Sequence, residues 1–296
     1  MPPATATPPS PVQARFDRAG LDALVAEQAA AGWVADRRRG AFAAFESLAL
    51  PDRKSENWMR TDLRMFKPAA WGLAAKPAAR VVPEGLLAAA IAAGEPAAEG
   101  FAEEGLSKRG QTPFAPQNGP VPGIAGRFAS LDGHVVRDEL APSLAARGVR
   151  FGSAEAVLAD LEAELKPHWF SVIDARSDWF AALHAAFHRA SAVLYVPAGV
   201  KVAEPLHVMS AISPGGVDTS HVLVVLGDGA EATLLTETAG GGEAGSSGGF
   251  HCGGTEIVVG RRAFLRMVNL QNWNTGVWHF ARQKAVVHAG GRLQWT

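Results

Sequence analysis

Two kinds of hydrophobic pattern divide the chain near residue 191. In the first part apolar side chains recur every three or four residues, as at Leu158, Leu161 and Leu165, which predicts amphipathic helices. In the second part β-branched residues form short runs punctuated by glycine and proline, which predicts strands. We therefore predict an α+β protein, with a mainly helical region over 16–190 and β rungs over 191–296.

The β region contains a repeat. Four apolar runs can be superposed, each followed by a turn and an alternating strand, and their turns fall at Gly199, Gly229, Arg262 and Gly290. The steps between successive turns are 30, 33 and 28 residues. Because one rung cannot bury its own apolar face, a repeat of this kind predicts stacked β rungs.

The last rung stops inside an alternating strand at Thr296. A terminal rung ordinarily needs a cap over its apolar face and its unpaired sheet edge. We therefore expect the chain to be a fragment or to be capped by another chain, and to behave poorly on its own.

Three segments follow neither pattern. Residues 1–15 are rich in proline, alanine and threonine and predict a disordered tail. Residues 111–123 predict a Pro/Gly-rich loop inside the helical region. Residues 239–249, AGGGEAGSSGG, predict a flexible lobe that projects from the stacked rungs.

The composition removes several functional classes. The 296 residues include 28 Lys+Arg and 29 Asp+Glu, so the chain lacks the basic excess of a general nucleic-acid binder. Its one cysteine cannot form an internal disulfide or, alone, a cysteine-based metal site, and it fits a reducing compartment. No secretion signal is visible, and no apolar run reaches the ~18 residues of a spanning helix. We therefore expect a cytoplasmic protein that binds neither nucleic acid nor membranes.

Cys252 and His251 are the candidate metal ligands. They stand side by side where a rung resumes after the glycine lobe. Thiolate and imidazole are both common transition-metal ligands, so the two residues could contribute to a site that another chain completes. The competing interpretation is that Cys252 is a small buried hydrophobic residue at the start of a strand.

Other histidines carry weaker signals. His184 and His188 are four residues apart on one predicted helix, but Ala185 stands where the zinc-protease motif has glutamate. Four more histidines lie on separate predicted strands: His207, His221, His279 and His288. If these converge, the chain could be a stand-alone β-solenoid or cupin-like metal-binding enzyme. Otherwise they are scattered rung residues.

The remaining catalytic templates are missing from the sequence. There is no phosphate-binding G-x-x-x-x-G-K-[ST] loop, and the G-x-S-x-G string at residues 245–249 lies in the glycine lobe instead of between a strand and a helix. A carbohydrate-cleaving β-helix would need paired carboxylates in one groove, and the rungs offer few. We therefore predict no catalytic residues and no ATP hydrolysis by this chain.

Several motifs resemble the SufB/SufD family of iron–sulfur cluster assembly proteins. Residues 55–63, SENWMRTDL, resemble an element near the start of the SufD branch. Residues 179–187, WFAALHAAF, and 194–206, LYVPAGVKVAEPL, resemble the entry into the family's β-helix. Residues 256–260, EIVVG, and 268–273, VNLQNW, resemble its rungs.

The resemblance covers about residues 16–296. It implies an N-terminal helical region, a right-handed parallel β-helix and a C-terminal helical region absent here. It implies a non-catalytic scaffold subunit of the Suf complex that supports cluster assembly and iron acquisition. The implied partners are a SufB-like paralogue, through the β-helix, and a SufC-like ATPase, through the C-terminal region. The resemblance also implies that this chain alone holds no cofactor firmly and that a transient iron–sulfur cluster is shared with a partner.

The chain resembles the SufD branch more than the SufB branch. SufB has a cysteine shortly after a strand that ends in Leu-x-Glu, whereas residues 235–239 read LTETA. One departure from the family is His184, where asparagine is more common. The family's cluster-assembly residues lie in late rungs without a counterpart here, so no family functional residue transfers to a position in this sequence.

Overall fold

A few helices precede a parallel β-solenoid of about three turns, which confirms the predicted α+β class. The computed structural model describes residues 12–28, 31–76, 85–92, 123–241 and 248–296. Within those ranges, no helix combines the length and apolar character needed to cross a membrane.

The elements follow one another in a simple order. The helices are α1 (Arg18–Gln28), α2 (Gly32–Ser47), α3 (Leu86–Ala92), α4 (Pro142–Ala145), α5 (Ala154–Asp160), α6 (Glu162–Leu165) and α7 (Trp179–Phe187), with short 3-10 turns at Glu56–Trp58 and Pro68–Ala70. The strands are β1 (Val12–Arg15), β2 (Gly72–Ala74), β3 (Gly126–Leu131), β4 (His134–Leu140), β5 (Arg150–Ser153), β6 (Ala192–Val196), β7 (Leu206–Ile212), β8 (Val217–Asp218), β9 (His221–Leu226), β10 (Glu231–Gly240), β11 (Gly249–Val259), β12 (Phe264–Trp273), β13 (Val277–Val287) and β14 (Arg292–Trp295).

Two β-sheets form the walls of the solenoid. The first sheet has the order β14-β12-β10-β7-β3-β4, and the second has the order β13-β11-β9-β6-β5, with β8 also paired to β11. All pairs within the rungs are parallel, whereas β4 and β5 pair antiparallel with their neighbours. The rungs therefore stack as predicted, and β3 to β5 extend the sheets at their first edge.

The register of the second sheet confirms the predicted repeat. Ala192, Val222, Thr255 and Gln283 are successive partners across β6, β9, β11 and β13, so the steps are again 30, 33 and 28 residues. The four predicted turn residues all have a positive φ. These are Gly199 (73°), Gly229 (69°), Arg262 (55°) and Gly290 (71°). The turns stack along one edge of the solenoid, and Arg262 is the member with a side chain.

Alternation along the strands fills one half of the interior with apolar side chains. In the first sheet Leu206, Leu234 and Met267 are register partners, and they pack with Val224 and Ile257 of the second sheet. All five are buried. Full burial of such a side chain stabilises the fold by about 1.5–3 kcal/mol, so this half supplies the main core of the solenoid.

The region predicted to be mainly helical, residues 16–190, also contributes strands to the solenoid. Residues 126–153 supply β3, β4 and β5 to the two sheets. The turn between β3 and β4 is Asp132-Gly133, with φ of 50° and 73°, which is a common hairpin turn. Helix α2 runs through Gly40 to Ser47 without interruption.

The predicted tail ends too late. Val12–Arg15 forms β1 and pairs antiparallel with Gly72–Ala74, so the boundary at residue 15 was wrong. Residues 1–11, the 111–122 part of the predicted loop and residues 242–247 of the glycine lobe lie outside the described residues.

Two buried glutamates fasten the N-terminal region to the outer faces of the sheets. Oε1 and Oε2 of Glu237 on β10 accept the N–H groups of Leu86 (2.6 Å) and Leu87 (3.1 Å), at the start of α3. Oε1 of Glu256 on β11 accepts those of Val172 (2.5 Å) and Ile173 (2.7 Å). We call these contacts the carboxylate clamps. A carboxylate is well suited to this role, because charged acceptors form strong bonds to N–H groups.

A histidine one rung earlier accompanies each clamp. Nε2 of His207 lies 3.5 Å from Glu237, and Nε2 of His221 lies 3.3 Å from Glu256. Burial raises the pKa of the Glu256 carboxyl, but His221 and the two backbone N–H groups outweigh burial and lower the pKa below its usual value. Glu256 is therefore a carboxylate at neutral pH.

Replacing Glu256 with alanine removes the acceptor of two backbone N–H groups, the buried one of Ile173 and the part-buried one of Val172. Each unsatisfied buried donor costs about 1–3 kcal/mol, so we expect the free energy of unfolding to fall by about 3 kcal/mol. Glu231→Ala is the matched control, because this rung glutamate has a 41% exposed side chain paired with Lys201. An exposed pair contributes about 0–1 kcal/mol. Urea denaturation measures both, and equal losses would contradict the clamp.

Replacing Arg262 with glycine relieves its positive φ of 55°. The left-handed conformation costs a non-glycine residue about 1–2 kcal/mol, partly offset by the greater freedom of glycine in the unfolded chain. We therefore expect Arg262→Gly to raise the free energy of unfolding by about 0.5–1 kcal/mol. Arg261→Gly adds the same unfolded-state freedom without that relief, so it should destabilise. A thermal melt in which both variants lose stability would refute this account of the turn stack.

Candidate functional site

The second half of the solenoid interior is polar. Beyond the apolar core the inward-facing side chains become hydroxyls, amides and imidazoles around a cavity of about 40 Å³. The lining residues that we call the polar interior are Ser210, Ser220, Thr236, Thr238, Thr255, Asn269, Gln271, Gln283, His251 and His279. A polar cavity of this volume has room for more than one water molecule.

The side chains of the polar interior stack from rung to rung in the same way as those of the apolar core. Thr236 on β10 and Asn269 on β12 are register partners, and Asn269 Nδ2 donates to Thr236 Oγ1 at 2.9 Å. Ser210 on β7 faces Ser220, which directly precedes β9, with their hydroxyl oxygens 3.1 Å apart. These bonds satisfy polar groups that burial would otherwise penalise.

Three ionisable side chains form one inward column across the second sheet. Asp218 on β8 is the register partner of His251 on β11, which is the partner of His279 on β13. Asp218 Oδ2 lies 3.4 Å from His251 Nε2, and the Nδ1 atoms of the two histidines are 2.9 Å apart. The imidazole rings stack with their centroids 4.6 Å apart. We call this column the histidine ladder.

Burial controls the charge of the histidine ladder. It raises the pKa of Asp218 to about 7, against the hydrogen bonds from Ser220 that lower it. Burial and the neighbouring His279 lower the pKa of His251 well below 6.5, and burial lowers that of His279. Both imidazoles are therefore neutral at pH 7, and one nitrogen of each ring has a free lone pair.

The two predicted ligands, Cys252 and His251, lie on opposite faces of β11. His251 points into the polar interior, whereas Cys252 points outward to α7, where its Sγ donates to the carbonyl oxygen of Phe180 at 3.4 Å. Cys252 is fully buried, and burial raises the pKa of its thiol to about 12. Adjacent residues on a strand cannot serve one site from opposite faces, so this sheet separates the pair.

The helix histidines are also buried. His184 Nε2 lies 3.2 Å from the carbonyl oxygen of Ser220, and His188 Nδ1 lies 3.1 Å from the Arg38 guanidinium and 3.3 Å from Ser191. Burial lowers the pKa of both histidines well below 6.5. They contact different partners, so the four-residue spacing does not produce a common ligand pair.

The strand histidines do not converge on one point. His207 and His221 face outward at the carboxylate clamps, and His279 faces inward in the histidine ladder. His288 is exposed after β13. Across the parts of the chain that the structure describes, no group of three or more His, Cys, Asp or Glu side chains could hold a metal ion.

Sequence reasoning found His251 and His279 but missed Asp218 as their neighbour. The signal was available, because Asp218, His251 and His279 are separated by 33 and 28 residues, the same steps as the turns. Aligning every position of the repeat, rather than the turns alone, places the three residues in one column.

The match to a known protein family falls on the solenoid part of the chain. Residues 208–296, which include nearly all of β7 and run through β14, match the family model described as "SUF system FeS cluster assembly, SufBD core domain". A SufBD family protein of Staphylococcus haemolyticus is 27% identical over 174 residues. A SufBD family protein of Staphylococcus epidermidis is 25% identical over 174 residues. The iron–sulfur cluster assembly protein SufB of Bacillus subtilis is 26% identical over 172 residues.

Each of these matches covers 58% of this chain and 37% of the relative. The chain therefore spans well under half the length of the curated relatives it matches. The fold defines a two-sheet parallel β-solenoid with a SufBD core domain. Together the matches support membership of the SufB/SufD family of iron–sulfur cluster assembly proteins.

Replacing His184 with asparagine should reduce the acid sensitivity of the fold. Because the folded pKa of His184 lies well below 6.5, its contribution to stability is full above 6.5 and falls as the pH drops. In the unfolded chain the imidazole of His184 binds a proton near its normal pKa. The difference changes the slope of the free energy of unfolding against pH by up to about 1.4 kcal/mol per pH unit. We expect His184→Asn to flatten the decline between pH 7.5 and 5.5.

The control for this measurement is His288→Asn, which removes an exposed histidine. Its urea midpoint should follow that of the wild type at every pH. If His184→Asn shows the same slope as His288→Asn, burial of the neutral imidazole is not a source of the acid sensitivity.

Proposed function

We propose that the chain is the core of a non-catalytic scaffold subunit of the Suf iron–sulfur cluster assembly complex, of the SufD type. In this role it pairs with a SufB-like paralogue through the β-solenoid and works with a SufC-like ATPase. The nascent cluster is cargo that the assembled complex builds, with iron acquisition as part of that task. The match of residues 208–296 to the SufBD core domain carries this proposal.

The position of the one cysteine supports a SufD-type role. Cys252 is fully buried under α7, and burial raises the pKa of its thiol to about 12. A thiol accepts sulfur or binds iron as the thiolate, so this environment works against both reactions. After Leu235-Thr236-Glu237, where SufB carries a cysteine, this chain continues with Thr238 and Ala239. Sulfur chemistry therefore falls to the partner subunit.

The sequence also lacks a nucleotide-binding motif, which supports the proposal that another subunit hydrolyses ATP. No G-x-x-x-x-G-K-[ST] loop occurs in the 296 residues. ATP hydrolysis then belongs to a partner, and this subunit transmits or resists the resulting movement. A rigid solenoid suits that task, because its rungs are joined by continuous parallel ladders of up to eleven register pairs.

The stand-alone metal enzyme is less well supported. It requires several strand histidines around one ion, but His207 and His221 are taken up by the carboxylate clamps on the outer faces. A carbohydrate-cleaving enzyme would need two free carboxylates in one groove. Glu237 and Glu256 are instead bound to backbone N–H groups on different sheets.

Purification from the native organism tests the proposed assembly. The tagged protein, expressed from its own locus, should retain a SufB-like and a SufC-like protein through size-exclusion chromatography, as identified by mass spectrometry. An unrelated tagged protein of similar size is the control. Recovery of the protein with neither partner would refute the scaffold role.

Replacing Cys252 with alanine tests the non-catalytic part of the proposal. If Cys252 is only a packing residue, Cys252→Ala should keep cluster delivery, measured as aconitase activity in cells that depend on this locus, within about twofold of wild type. Deletion of the locus provides the lower limit. Loss of activity with normal protein abundance would assign a chemical role to the thiol.

A further inference from the structure

The histidine ladder has the geometry of two adjacent metal ligands. The Nδ1 atoms of His251 and His279 are 2.9 Å apart. Two imidazole nitrogens at right angles on one ion, each ~2.1 Å from it, are separated by about 3.0 Å. The parallel register of β11 and β13 fixes this approach, because the two histidines are direct partners.

Asp218 faces the ring nitrogen of His251 that points away from His279. Its Oδ2 lies 3.4 Å from His251 Nε2, and the same oxygen accepts a hydrogen bond from Ser220 Oγ at 2.8 Å. When Asp218 is ionised it favours the proton on Nε2, which leaves the lone pair of His251 on Nδ1, where it faces His279. A carboxylate that orients a histidine in this way is the usual second layer of a metal site.

Space for an ion and its water lies beside the pair. Both histidines line the cavity of about 40 Å³ in the polar interior, together with the oxygen-bearing side chains of Thr238 and Gln271. Trp273 closes one side, with its ring centroid 5.1 Å from His251 and 5.5 Å from His279. The surroundings therefore offer neutral oxygen donors, and Trp273 covers one side of the histidine pair.

We propose that His251 and His279 bind one divalent first-row transition-metal ion through their Nδ1 atoms inside the solenoid. Imidazole favours iron, cobalt, nickel, copper and zinc over magnesium and calcium. Within the described residues no third His, Cys, Asp or Glu completes the set, so water in the cavity fills the remaining positions. When the ion binds, His279 shifts its proton from Nδ1 to Nε2, and no proton is lost. This site is independent of the scaffold role.

Without the ion, the same contact is a hydrogen bond from His279 Nδ1–H to His251 Nδ1. The hydrogen-bonded pair and the metal-bound pair can be distinguished by experiment, because only the second holds an ion. Titration of the metal-free full chain with Co²⁺ should give one bound ion per chain, visible as d–d absorption and as partial quenching of the tryptophan fluorescence, to which Trp273 contributes.

Three variants test which residues hold the ion. His279→Asn should weaken Co²⁺ binding by at least tenfold, because it removes one of two protein ligands. Asp218→Asn should weaken it by about tenfold, the usual loss for an orienting residue. His288→Asn removes an exposed histidine and should leave the affinity unchanged. Equal affinity in His279→Asn and wild type, or no Co²⁺ binding by wild type at millimolar concentration, would overturn the proposal.

A spectroscopic measurement on the wild type does not depend on any variant folding. Bound Cu²⁺ should show electron paramagnetic resonance splitting from two imidazole nitrogens. A Cu²⁺ spectrum with oxygen ligands alone would equally overturn the site, whatever the variants do.

Discussion

Two buried carboxylates hold together segments of the molecule that are far apart in the sequence. Glu237 and Glu256 project from the outer faces of the two sheets, and each is at most 1% exposed. Each accepts two consecutive N–H groups from segments that lie 83 to 151 residues earlier in the chain. A buried carboxylate without such partners would be very costly, so the solenoid and its covering segments stabilise one another. With that covering in place, β11 is buried on both faces along its whole length.

The stacked register that builds the core also builds the polar interior. Side chains at one position of the repeat lie directly above one another, so Leu206, Leu234 and Met267 form an apolar column, and Asp218 and His251 begin a polar one. The same alternation turns Cys252 away from that column. Cys252 is thereby buried under α7, while the interior keeps neutral nitrogen and oxygen donors.

Much of the fold could be predicted because the repeat depends on residues that are close together in the sequence. Gly199, Gly229 and Gly290 mark turns that need a positive φ, and their spacing gave the register of the rungs. The β3–β4 hairpin was missed although Asp132-Gly133 is a hairpin signal, because the surrounding text is rich in alanine and glycine. The carboxylate clamps could not be predicted, since no local pattern connects Glu256 with a backbone segment 83 residues away.

The central claim is that the N-terminal region is fastened to the solenoid as firmly as the rungs are to one another. Hydrogen exchange of the Val172 and Ile173 amides, followed by NMR on the full chain, tests it most directly. Amides held by a buried carboxylate open only with the global fold, so both should exchange as slowly as those in the middle of β11. Exchange of Val172 and Ile173 at the rate of an exposed loop, with β11 still protected, would contradict the account.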